Sequence, residues 1–147
     1  MHEYIIQLAP EPIREHDFIT AGDFEYSDFN DFAAYVLDVN ESGYTAALEE
    51  LERLVSHIGH VNRRDRFIQF SLANVVTELN EWTRLMLSSG SVGPRRLSED
   101  LKYYEGSRLM FWYLGEFVPS AFLIEDIARS YVPTAPYIGG ILDYKIY

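Results

Sequence analysis

The sequence predicts one mainly helical α+β domain spanning residues 1–147. An antiparallel helix hairpin (about 44–58 and 62–88) is joined by a short N-terminal helix and a small sheet that draws on both chain ends. Three observations predict it. Between Asn62 and Ser88 the apolar residues Ile68, Leu72, Val75, Leu79, Trp82 and Met86 step by four, three, four, three and four, a spacing that keeps one seam on one helix face. Tyr44, Leu48, Leu51, Val55 and Ile58 repeat the pattern just upstream, and only Gly59 to Asn62 separates the two runs; so short a connection makes neighbouring helices antiparallel. Both chain ends carry strand-type content, in EYIIQL at 3–8 and ILDYKIY at 141–147.

Taken in order, Glu3–Leu8 reads as a strand ended by Pro10 and Pro12, each of which removes a backbone donor and restricts its predecessor. The chain to Gly22 reads as loop. Ser27 is placed to cap a helix running to Asp38, with Asp28 and Asp31 near its positive end and Phe29, Phe32, Ala33, Val36 and Leu37 as its apolar stripe. Asn40-Glu41-Ser42-Gly43 is a turn signal. The helix that follows carries Glu49, Glu50 and Glu52 on its outer face, with Arg53 four residues from Glu49 and Gly59 as its C-cap. Asn62 and Asp65 read as the capping pair of the long helix.

Beyond Ser88, SGSVGPRR reads as a loop, and Ser98–Tyr104 as a short helix stopped by Gly106. Arg108–Val118 is apolar at most positions and bounded by Gly106-Ser107 and Pro119. It reads as a buried strand, with a buried helix as the alternative that periodicity does not separate from it. Ser120–Tyr131 reads as a helix, Gly139-Gly140 as a tight turn, and Ile141–Tyr147 as a strand with Leu142, Tyr144 and Ile146 on one face and Asp143 and Lys145 on the other.

Composition bounds function. There is no cysteine, which excludes disulfides, thiolate nucleophiles and cysteine metal sites. The start, Met1-His2-Glu3-Tyr4, lacks the basic leader of a signal peptide, and no apolar run reaches the length of a membrane span, so a soluble cytoplasmic protein is expected. The net charge of −11 is unevenly placed: residues 1–52 hold thirteen acids and one base, a net −12, whereas residues 53–147 hold eleven bases and ten acids, a net +1. An acidic third repels phosphates, which argues against direct nucleic-acid binding and favours a basic protein partner.

Catalytic signals are absent. No Gly-x-Ser-x-Gly occurs, and Gly90-Ser91-Val92-Gly93 lacks the lysine of a phosphate loop. Acids are so numerous in the first third that no pair stands out as an acid–base couple, and no enzyme activity or cofactor is expected. His57 and His60, three apart, are a candidate metal pair with Asp65. His57 equally suits the last turn of a helix, where an imidazole meets free carbonyls. Arg63, Arg64 and Arg66 fall in the first turn of the long helix, against its dipole, and Arg95 and Arg96 beyond its other end; salt bridges within the chain account for them.

The expected function is therefore that of an acidic protein-interaction module that blocks a basic, nucleic-acid-binding surface of a partner. Its candidate partner-binding residues are Asp23, Glu25, Asp28, Asp31, Asp38, Glu41, Glu49, Glu50 and Glu52. In charge and size the chain is similar to acidic phage and mobile-element proteins that mimic DNA to block restriction or CRISPR machinery, without a shared motif. An immunity protein against a basic nuclease toxin would use the same surface. A virion or assembly component and a histidine-based metalloenzyme are the alternatives from other classes.

Overall fold

The structure, a computed structural model, describes residues 3–24, 35–56, 58–89, 109–119 and 135–145. Its strands are β1 (Glu3–Ala9), β2 (Tyr35–Asp38), β3 (Gly59–Asn62), β4 (Phe67–Phe70), β5 (Leu109–Tyr113), β6 (Glu116–Pro119) and β7 (Tyr137–Lys145). Its α-helices are α1 (Glu41–Val55) and α2 (Leu72–Ser89), and single 3-10 turns lie at Glu15–Asp17 and Ala21–Asp23. All seven strands form one mixed sheet in the order β3-β4-β7-β1-β5-β6, with β2 also paired to β7. Among the described strands, only β1 and β5 pair in parallel.

Strand β7 holds the sheet together. One of its edges pairs with β1; its other partners are β4, at Tyr137, and β2, over Leu142–Lys145. Ile6 pairs with Ile141 and Leu8 with Ile138, so three steps along β7 answer two along β1. The extra residue is a bulge at Gly139–Gly140. A Cβ on Gly140 would lie 2.6 Å from the Ile19 carbonyl oxygen, so only glycine admits the segment that crosses there.

Alternation along β1 and β5 buries both faces of the sheet. Tyr4, Ile6, Leu8, Leu109, Phe111 and Tyr113 face one way, with Ile138 and Ile141, and pack against Ala47, Leu48, Leu51 and Val55 of α1 and Val75 of α2. Ile5, Leu142 and Tyr144 face the other way, against Ile19 and the half-buried Phe24, Val36, Met110, Trp112 and Phe117. Phe24, Trp112 and Phe117 meet with ring centroids 4.6–5.8 Å apart, two of the three contacts edge-to-face.

The mainly helical fold and the helix hairpin at 44–58 and 62–88 are overturned. Between α1 and α2 lies a β-hairpin. Gly59, a residue suited to a helix C-cap, pairs instead with Phe70 in β3–β4, where a Cβ would collide with the Gln69 carbonyl oxygen. The Asn62–Asp65 interaction exists, with the Asp65 amide donating to Asn62 Oδ1 at 2.9 Å, but it closes the turn between two strands. Arg66 at the end of that turn has φ 56°, a conformation outside the helical region. The helical seam counted Ile68 and passed over Phe67 and Phe70; in FIQF the buried Ile68 and Phe70 flank the exposed Gln69, which is strand periodicity. Helix α2 starts only at Leu72, after Ser71, whose carbonyl accepts from the Val75 amide at 2.9 Å.

Other expectations shift as well. The end of the N-terminal helix, Tyr35–Asp38, is strand β2, and residues 25–34 lie outside the described residues. The sheet that joins the chain ends through β1 and β7 is the main body of the fold and not a small addition to it. Gly139-Gly140 sits inside β7 and makes no turn. The apolar run at 108–118 is two strands rather than one, joined at Leu114–Gly115 with φ 52° and 78°, the two-residue loop geometry whose twist matches a hairpin. The helices expected at 98–104 and 120–131, and Arg95 and Arg96, lie outside the described residues.

Candidate partner-binding surface

The acidic surface is organised by α1. Asn40 Oδ1 accepts the Gly43 amide at 2.8 Å, which caps the helix start. Glu41 in the first turn interacts favourably with the positive end of the helix dipole. Ala47, Leu48, Leu51, Leu54 and Val55 are buried, so Glu41, Thr45 and Glu49, four residues apart, are left exposed on the opposite face. Among the described residues neither Glu41 nor Glu49 makes an ion pair. At about 1.5 Å rise per residue their backbones stand ~12 Å apart along the axis.

The remaining candidate acids divide into separate groups. Glu50 pairs with Arg53, and Glu52 with Arg63 at 3.1 Å, so the C-terminal half of α1 is internally compensated. Asp23 Oδ2 accepts the Thr20 amide at 2.7 Å and closes a capping box. Asp38 Oδ1 accepts the Ala21 amide at 2.8 Å, which ties β2 to the 3-10 turn that contains Asp23. Both remain exposed. Glu25, Asp28 and Asp31 lie outside the described residues.

The arginines expected at a helix start sit in the β3–β4 turn. Arg63 reaches Glu52, and the Arg66 guanidinium lies over the Phe18 ring at 5.2 Å. His60 is exposed on β3, while His57 lies outside the described residues. No group of three or more His, Cys, Asp or Glu able to hold a metal occurs among the described residues. Nor is any helix there long and apolar enough to cross a membrane.

Two residues that sequence reasoning did not single out complete the surface. Asp143 of β7 pairs in register with Leu37 of β2 on one side and Tyr4 of β1 on the other. Tyr4 and Asp143 line a cleft of about 330 Å³ whose wall is formed by Asp38, Asn40, Ser42 and Ala46 at the start of α1. Burial, and secondarily the Asp143 carboxylate, push the Tyr4 hydroxyl above its ordinary pKa, so it is neutral at physiological pH. The place of Asp143 opposite Leu142 and Tyr144 in the alternation of the last strand was the available signal, but nothing local announced its neighbours. A shallower depression of about 480 Å³ adjoins the cleft through Ser42 and Ala46 and is edged by Glu41 and Glu49.

Compared with known proteins, the chain matches no family model, no curated protein and no solved structure.

Proposed function

We propose that this chain is an acidic protein-interaction module that covers a basic, nucleic-acid-binding surface of a partner protein, in the manner of a DNA-mimic inhibitor of the anti-CRISPR or anti-restriction kind. The observation that carries the reading is the uncompensated pair Glu41 and Glu49 on the outer face of α1, beside exposed Asp38, in a first third of the chain that carries net −12. The action is competition without a catalytic step: carboxylates occupy positions where the partner expects phosphates. Leu37, 53% exposed next to Asp38, supplies an apolar contact among the charges. The setting is the cytoplasm, where nucleic-acid enzymes work.

The test is the double substitution Glu41→Lys/Glu49→Lys. Both sites are exposed, so the fold is retained. Partner capture and inhibition fall by at least about tenfold, and the residual binding loses most of its salt dependence, since exposed charges act through a screened field. Unchanged inhibition with unchanged salt dependence removes the reading.

A further inference from the structure

Between β1 and β2 the chain lays a strap, Ile13–Asp23, over the sheet face turned away from α1. Ile19 is the one buried residue of the strap, and it packs among Ile5, Leu142 and Tyr144. Phe18 and Thr20 on either side of it are extended, with φ and ψ of −64° and 136°, and of −127° and 162°. The Gln7 carboxamide donates to the Asp17 carbonyl and accepts the Ile19 amide. One amide group thus bonds the strap on both sides of Phe18, as a peptide group of a parallel neighbouring strand does. Gly139 and Gly140 form the floor: a Cβ on the first would lie 2.7 Å from Ile13 Cδ1, and one on the second 2.8 Å from the Ile19 nitrogen. The sheet therefore holds an extended segment by its backbone and by one aliphatic side chain, the two elements of strand recognition.

We infer that the strap is a displaceable occupant of a groove for an extended peptide, and that the groove takes a partner segment with a branched aliphatic residue at the Ile19 position. The groove is separate from the acidic face of α1, and the inference does not depend on the DNA-mimic reading. The strap is lightly held for its length. Among the described residues its hydrogen bonds to the rest of the fold run through two side chains, Gln7 and, at the Ala21 amide, Asp38. Phe18 adds the contact with the Arg66 guanidinium. A segment with so little buried apolar area opens at a lower free energy than the strands beneath it. A competing peptide meets the same carboxamide, the same glycines and the same apolar site. Half-buried Met110, Trp112 and Phe117 on this face offer it further apolar area.

The probe is the acetylated and amidated peptide of residues 13–23, with a control peptide in which Ile19 is replaced by Asp. Both are added to the full chain and to its Ile19→Ala variant. Binding is followed by the amide shifts of Gly140 and Leu142 and by the side-chain amide signals of Gln7. In Ile19→Ala the strap has lost its buried residue, so the peptide binds at least about tenfold tighter than to the parent, whose tethered strap competes at a high effective concentration. The control peptide moves none of these signals. Hydrogen exchange of the parent is the second measurement, and it decides the matter if Ile19→Ala fails to fold. The Ile19 and Ala21 amides exchange at least about tenfold faster than those of Ile5 and Ile6, through an opening that low urea leaves unchanged. Exchange of Ile19 in step with Ile5 and Ile6 across urea overturns the groove, as does equal binding of the two peptides or no binding to a folded Ile19→Ala. None of these outcomes bears on the acidic face, which Glu41→Lys/Glu49→Lys tests separately.

Discussion

The Tyr44 hydroxyl donates to the Gly139 carbonyl oxygen at 2.9 Å, joining α1 to the bulge in β7 across 95 residues of sequence. The other side of the same bulge is held by Gln7: its Oε1 accepts the Gly140 amide and the Ile19 amide, each at 2.9 Å, and its Nε2 donates to the Asp17 carbonyl at 3.1 Å. A bulge leaves ladder groups unpaired, and here side chains from two elements satisfy them. The acidic helix is thereby held against the strand that carries Asp143, so the geometry of the candidate surface depends on these bonds.

Tyr44→Phe leaves the Gly139 carbonyl without its donor and lowers stability by about 1–2 kcal/mol in urea unfolding. Burial raises the Tyr44 hydroxyl above its ordinary value of 10.0, and the nearby Arg66 charge partly opposes this. A raised folded-state pKa means that the stabilising contribution is complete below pH 10.0 and is lost as pH climbs through the folded value. Stability of the native chain therefore falls on the alkaline side, and Tyr44→Phe flattens that fall. An equally steep alkaline loss in the variant rules out Tyr44 as its source.

Gln7→Ala removes three hydrogen bonds at once. The expected cost is roughly 2–3 kcal/mol, because two part-buried amides lose their acceptor. Hydrogen exchange locates the effect: the amides of Ile19 and Gly140 lose protection first. Retained protection at both would show that another group holds the bulge.

Gly59→Ala separates the observed hairpin from a helix C-cap. In β3 the new methyl meets the Gln69 carbonyl, and overpacking of this kind costs about 1–3 kcal/mol. The β3–β4 amides are the ones that lose exchange protection. A variant as stable as the parent contradicts the close strand pairing at Gly59.

Leu114→Asn is expected to stabilise. Leu114 is 70% exposed and has φ 52°, so its side chain contributes little burial while its backbone adopts a conformation that asparagine accepts far more readily. The gain is about 1 kcal/mol, or a rise in Tm of roughly 2–4 °C for a chain of this size. Calorimetry on the two proteins reads it directly.

By itself the sequence determined the charge asymmetry, the strand content of both ends and a helix downstream of Tyr44 that buries Leu48, Leu51 and Val55; that it begins three residues earlier, capped by Asn40, is the structure's addition. These are local properties: a count of acids, an alternation, a 3.6-residue period. The tertiary structure alone decided that Asn62–Phe70 is a turn and a strand. Asn62 and Asp65 make the same side-chain-to-amide bond at a helix start or in a β-turn, and FIQF is too short for its period to choose. Pairing with β7, through Ile68 to Pro136 and Ile138 to Arg66, makes that choice. Leu114-Gly115 hid its hairpin because leucine is a poor marker of positive φ. Glu41 read as part of a turn, and only the structure places it in the first turn of α1, whereas Glu49 was legible as an exposed acid from helical spacing. Their neighbours in space, Tyr4 and Asp143, were not, because strand register places them beside Leu37 and α1 and no local pattern encodes register across more than a hundred residues of chain.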